Sequence, residues 1–251
     1  MSAVRKLAQA ARIASRDLSF EWDERNVIAY YRYLDEDVFE RIDPLTGKAN
    51  LGLTIAAAEW LVERFSACHA DVIPQNYLAA AWAGAAHPAY CAYMETSDDD
   101  WRGPVRGPLA MAMSIVNDAM YGLSDHPNVA LRACWMHNLV THVLPDTEAF
   151  EDWWEACVDR LEQVHAIDVE LAGREPDLFD SFPDQGAAVP PQAFDPAQPY
   201  HPLQAWRLWD EYLQALAPAT NPTLPDPTAL DGIGDLPGPP YRYRPGAGQS
   251  R

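Results

Sequence analysis

The sequence predicts an all-α fold, a single multi-helix domain, and three observations carry that prediction. Apolar residues across the first 172 positions recur at three- and four-residue steps. No run alternates with the period of two that a half-buried strand requires. The breaks between apolar stripes are short and carry Pro, Gly, Asn or Asp. With 251 residues, 48% of them hydrophobic and nine of them Trp, the chain can bury a core without disulfides or metals.

The elements follow in order. "MSAVRKLAQAARIASRDLSF" places Arg5, Lys6, Arg12 and Arg16 ahead of its first acid, Asp17, a charge order that organellar transit peptides share. Val4, Leu7, Ala11, Ala14 and Leu18 make an inward stripe, so residues 3–18 read as an amphipathic first helix whose cations face an acidic body. A helix over 21–34, with a short extension to Ile42, comes next. "RIDPLTGKANLGLT", residues 41–54, has Pro, Gly and Asn in turn positions and reads as a connection. Gly47-Lys48 is not a phosphate loop, since no glycine lies five residues earlier and no Ser or Thr follows the lysine. Helices over 54–68 and 74–82 lead to a polar break, "METSDDDWRGPVRGP". Helices over 104–121, 127–143 and 147–165 follow, with Pro127 in a first turn and Asp146 as a cap.

From Gly173 the chain becomes an extended, proline-punctuated connection (173–202). Periodicity returns over 202–217, where Leu203, Trp206, Trp209, Leu213 and Leu216 form a stripe that must dock on the body. The domain therefore spans 1–217, and 218–251, rich in Pro and Gly, reads as an irregular peripheral tail.

The charge balance narrows the partners. Eighteen basic against 37 acidic residues give a net charge of −19, which repels phosphate backbones and anionic lipid surfaces. Direct nucleic-acid binding is not expected, and the favoured partner is basic. No apolar stretch is long enough for a bilayer span. Cys68, Cys91, Cys134 and Cys157 are widely spaced without a C-x-x-C pair, as buried thiols in a reducing cytoplasm would be. A soluble cytoplasmic protein is expected.

No catalytic constellation emerges. Glu162 and His165 match half of the E-x-x-H pattern of di-iron bundles, which needs a second copy and further glutamates that the chain lacks. Cys134, His137 and His142 sit on one helix, but five residues separate the histidines and turn them to different faces. Asp98, Asp99 and Asp100 lack the alternating oxygens, glycine and closing glutamate of a calcium loop. There is no G-x-S-x-G elbow, and no Cys is followed by His and Asn in a recognisable order. No catalytic residue, metal or cofactor is expected.

The acids themselves are the strongest signal. In "AFEDWWEACVDRLEQV", residues 149–164, Phe150, Trp153, Trp154, Cys157, Leu161 and Val164 form one apolar stripe. Glu151, Asp152, Glu155, Asp159 and Glu162 occupy the other side with Arg160 as the single cation. Like charges at i, i+4 cost a few tenths of a kcal/mol each. From Leu144 to Asp180, twelve acids stand against two bases, Arg160 and Arg174, so ten of the chain's negative charges gather in 37 residues. A cationic partner would relieve that repulsion, and a generally acidic solvated surface is the alternative. Trp101, beside the Asp98 to Asp100 loop, would supply an aromatic anchor.

In this general character the chain resembles the immunity proteins that bacteria carry beside polymorphic or contact-delivered toxins; no signature motif carries the likeness. The resemblance implies a non-enzymatic inhibitor that occludes a basic cognate toxin domain, with Glu151, Asp152, Glu155, Asp159, Glu162, Asp98, Asp99, Asp100 and Trp101 as partner-binding residues. Two other readings remain open: an enzyme or small-ligand-binding protein with an internal pocket lined by Trp60, Trp82 and Trp135, and an assembly subunit that clasps neighbours through 173–202 and the tail.

Overall fold

The computed structural model describes residues 2–96, 100–123, 126–168, 185–234, 236 and 238–243. Among these the fold is all-α: α1 (Ala3–Ala10), α2 (Glu36–Ile42), α3 (Gly47–Arg64), α4 (Ile73–Ala86), α5 (Gly103–Tyr121), α6 (His126–Val143), α7 (Glu148–His165), α8 (Ala205–Ala215) and the single turn α9 (Pro227–Leu230). The one β-type contact among them is an isolated bridge between Leu45 and Ala166.

Helix α3 is the axis of the molecule. All of its residues except Lys48 are buried, because α1, α4, α5, α6 and α7 all pack against it. A helix enclosed on every side has no solvent face to offer, and the small residues Ala49, Gly52, Ala56, Ala57 and Ala58 let its neighbours approach. A Cβ added at Gly52 would lie 2.6 Å from the Phe194 ring.

Four expectations need correction. Helix α3 begins at Gly47, not Thr54: the turn ends at Thr46, and Asn50 Nδ2 donates to the carbonyls of Ile42 (3.0 Å) and Leu45 (3.3 Å), closing the corner from inside the helix. α1 stops at Ala10 because Arg12 takes a left-handed conformation (φ 55°). The irregular stretch beyond it and the end of α6 enclose Arg64, whose guanidinium donates to the carbonyls of Ser15, Asp17 and Val143. The helix expected over 21–34 is one 3-10 turn, Val27–Tyr30. Its continuation surrenders its carbonyls to α6: Asn138 Nδ2 donates to Tyr31 and Tyr33, each at 3.1 Å. Finally, Leu203 and Trp206 are 79% and 51% exposed, since a 3-10 turn (Pro202–Gln204) precedes α8 and shifts its phase, leaving Trp209 and Leu213 as the buried stripe.

The proline-rich regions hold the body. The first part of the 173–202 connection lies outside the described residues. From 185 onward it buries Ala188, Val189 and Phe194, and Trp153 and Trp209 donate indole hydrogens to the carbonyls of Phe194 (2.9 Å) and Ala188 (3.0 Å). Beyond α8, the described part of the segment read as a peripheral tail is docked: Tyr241 stacks on Tyr90 at 4.9 Å, and Tyr243 stacks on Trp209 at 6.0 Å. All four cysteines are free thiols.

Candidate functional site

Helix α7 divides as its sequence pattern demands. Phe150, Trp153, Trp154, Cys157, Val158 and Leu161 are buried, Trp60 packs on Phe150 and Trp153 at 5.5 Å each, and the carboxylates of the other face point to solvent. Val164, expected on the apolar stripe, is 40% exposed.

A cation that sequence reasoning missed organises the outer face. Arg41, at the end of α2, donates to Glu155 (2.6 Å), Asp159 (2.8 Å) and Glu162 (3.0 Å), one nitrogen to each carboxylate. These three residues lie at i, i+4 and i+7, so they form one stripe that a single guanidinium spans. The hydrogen bonds to Glu162, the larger contributor, and to Glu155 push the Arg41 pKa up against the opposing effect of burial. Three carboxylates against one guanidinium leave two negative charges unmatched. Arg160, the expected local counter-charge, turns away and donates to the carbonyls of Ala193, Asp195, Pro196 and Gln198.

The remaining expected residues sit as follows. Glu151 lies 2.9 Å from His137 Nε2, and Asp152 is exposed with no ion pair among the described residues. Asp98 and Asp99 lie outside the described residues. Asp100 is exposed and Trp101 half-buried, and both belong to another neighbourhood: Arg106 donates to the Asp100 carbonyl (2.8 Å), pairs with Asp71 (2.9 Å) and covers the Trp101 ring at 5.3 Å. No hydrogen bond, ion pair or ring contact joins Asp100 or Trp101 to α7 among the described residues. The anchor expected for the acidic face is thus engaged elsewhere.

The other sequence candidates also separate. His165 is buried against Tyr200, 2.9 Å from its hydroxyl, and burial pulls its pKa down to about 4, whereas Glu162 faces Arg41. His142 Nε2 lies 2.7 Å from the Glu21 carbonyl and its ring stacks on Tyr30 at 4.5 Å, and Cys134 lies behind Tyr33 and Asp35. Among the described residues no group of three His, Cys, Asp or Glu could hold a metal ion, and no helix is long and apolar enough to cross a membrane. Trp60, Trp82 and Trp135 do not share a pocket: Trp60 meets Phe150, Trp82 meets Phe194, and Trp135 lies under Arg32 and Arg132.

Among the described residues, two cavities that open elsewhere stand out. One, of about 470 Å³, lies between Trp22, Glu24, Trp101 and Met111. The other, of about 460 Å³, lies between α1, α3, α4 and α8, with the buried Glu59 on its wall. Compared with protein-family models, with curated proteins and with solved structures, the chain matches none.

Proposed function

We propose that the chain is a non-enzymatic inhibitor, an immunity protein in its mode of action, that captures a basic protein domain on the outer face of α7. The observation that carries this reading is the stripe of Glu155, Asp159 and Glu162 gathered around Arg41 with two charges unmatched among the described residues, beside Asp152, which has no ion pair among them. Arg41 lowers the local charge and also holds three carboxylates in fixed positions, so less side-chain freedom is lost when cations dock. Excess negative potential of this kind accelerates encounter more than it deepens affinity.

The placement of Trp101 narrows the interface: capture rests on α7 and the end of α2, not on Asp100 and Trp101. The test is association with a basic effector domain encoded beside the gene, by calorimetry, with the effector's own activity assayed in parallel. A one-to-one complex that silences the effector and is weakened by Asp152→Lys supports the reading. Free passage of the effector, or a complex indifferent to Asp152→Lys and to Glu155→Gln/Asp159→Asn, contradicts it.

A further inference from the structure

We propose that the cleft beneath α1 binds a small organic cation, a primary ammonium on an aliphatic body, with Glu59 as its counter-ion. The inference concerns a different surface from the α7 stripe and is independent of it.

Helix α3 carries two carboxylates four residues apart, Glu59 and Glu63, each only 4% exposed. Glu63 is compensated: Arg5 and Gln9 of α1 donate to it at 3.2 Å each, and Ser66 Oγ at 3.2 Å. Glu59 is not. Its two oxygens accept from neutral donors, Ser2 Oγ and Trp82 Nε1 (3.0 Å), and no cation lies within ion-pair distance of it among the described residues. Arg64, the nearest arginine along α3, is committed to carbonyls on another side. A carboxylate has about four acceptor sites, so two donors leave Glu59 under-coordinated. Arg5 and the chain's amino terminus act on Glu59 through space, but its hydrogen-bond donors among the described residues are neutral, and a cation donating to it directly would offset part of the cost of burying its charge.

The cleft is shaped to admit one. Its volume of about 460 Å³ falls in the range of small-molecule sites, and Val62, Leu78, Ala79 and Leu216 give it apolar walls around the single carboxylate. Two polar atoms of the wall are buried without a hydrogen-bond partner among the described residues, the acceptor Gln192 Oε1 and the donor Arg5 Nε. An anion is disfavoured because the Glu59 carboxylate lines the cleft and Arg5 is already paired with Glu63 through Nη2. A metal ion is disfavoured because the wall offers one carboxylate beside the Arg5 guanidinium.

Burial raises the Glu59 carboxyl to about 6; the Ser2 and Trp82 hydrogen bonds, and then Arg5 and the chain's amino terminus, oppose that rise. The charged or titratable groups acting on or facing it are Arg5, the chain's amino terminus and Glu63 and, from α8, Tyr212. Burial holds the Tyr212 hydroxyl protonated, and it donates to the Ala79 carbonyl. Glu59 is therefore the group whose charge changes near neutrality, and ligand affinity falls as pH drops below about 6.

The probe is n-hexylammonium chloride, titrated into the full chain by calorimetry at about pH 7.5 and about pH 5, with 1-hexanol and hexanoate as controls. The Trp82 indole N–H resonance is followed in parallel. The expected result is saturable one-to-one binding, about tenfold tighter than 1-hexanol, lost at the lower pH and accompanied by movement of the Trp82 resonance. Glu59→Gln keeps an acceptor for its neighbours and lowers affinity by about tenfold. Leu216→Trp, which fills the cleft and leaves Glu59 in place, abolishes binding. Hexylammonium that binds no better than hexanol, or not at all, or equally to Glu59→Gln, overturns the proposal.

Discussion

Replacing Arg41 with alanine isolates what the clamp on α7 contributes. The guanidinium is 38% exposed and its partners Glu155, Asp159 and Glu162 are 53%, 63% and 40% exposed, so each contact belongs to the solvent-screened class worth about 0.2–1 kcal/mol. The three contacts share one cation and are not independent, which keeps their sum near the lower half of a simple total. Removing Arg41 also uncovers carboxylate repulsion along α7, a few tenths of a kcal/mol for each close pair. Together these give a loss of about 1–2 kcal/mol at low salt, or a fall in Tm of roughly 2–8 °C for a chain of this size. Thermal melts in low salt and in about 0.5 M salt test this, because screening shortens the reach of exposed charges to a few ångströms and should erase most of the difference. Arg41→Lys, one point charge in place of a three-pronged fork, should fall between wild type and alanine. A loss above about 3 kcal/mol that survives high salt would refute the reasoning, since it would assign the α2 to α7 contact to packing instead of charge. An unchanged melt in low salt would show that the clamp is not populated.

Other perturbations follow from the same geometry. Gly52→Ala sets a methyl 2.6 Å from Phe194 Cζ and 2.9 Å from Cε2, and should cost about 1–3 kcal/mol in urea titration by prising the Pro191–Phe194 turn off α3. His165 is held neutral by burial with a pKa of about 4. Its unfolded form takes a proton below about 6.5, so stability is fully present above that pH and is lost as pH falls towards about 4, by about 3 kcal/mol in all. Urea midpoints of His165→Gln across that window should slope less than those of the native chain. Cys91, Cys134 and Cys157 are buried, with the Cys91 thiol pushed up to about 12, so a thiol reagent should label only the half-buried Cys68 before unfolding.

The sequence made the helices legible where periodicity and local signals agreed. Helices α5, α6 and α7 begin within one residue of their expected starts, because Pro104 and Pro127 sit in first turns and Asp146 accepts from the Glu148 amide (3.0 Å). It misled where side chains reached across the fold. Residues 21–34 read as a helix, yet Asn138, more than a hundred positions later, takes carbonyls that a helix would use internally. Gly47 and Asn50 carried turn propensity into what became the first turn of the central helix, since Asn50 satisfies the turn from within. The apolar and acidic sides of α7 were readable from spacing alone. Arg41 was not, because nothing local relates it to residues 114 to 121 positions away. Glu59 was equally hidden: within "AAAEWLVER" it looks like an ordinary solvated acid, and only the packing of α1, α4 and α8 around α3 encloses it.

The most direct test of the capture surface is the association rate of the proposed inhibitory complex, measured by stopped flow from about 0.05 to 0.5 M salt. Arg41→Ala takes the stripe from two unmatched charges to three. The account predicts that this variant associates roughly twofold faster than wild type at low salt, with a steeper salt dependence, even though its fold is weaker. Equal rates at every salt concentration, or slower capture by the more negative variant, would contradict it.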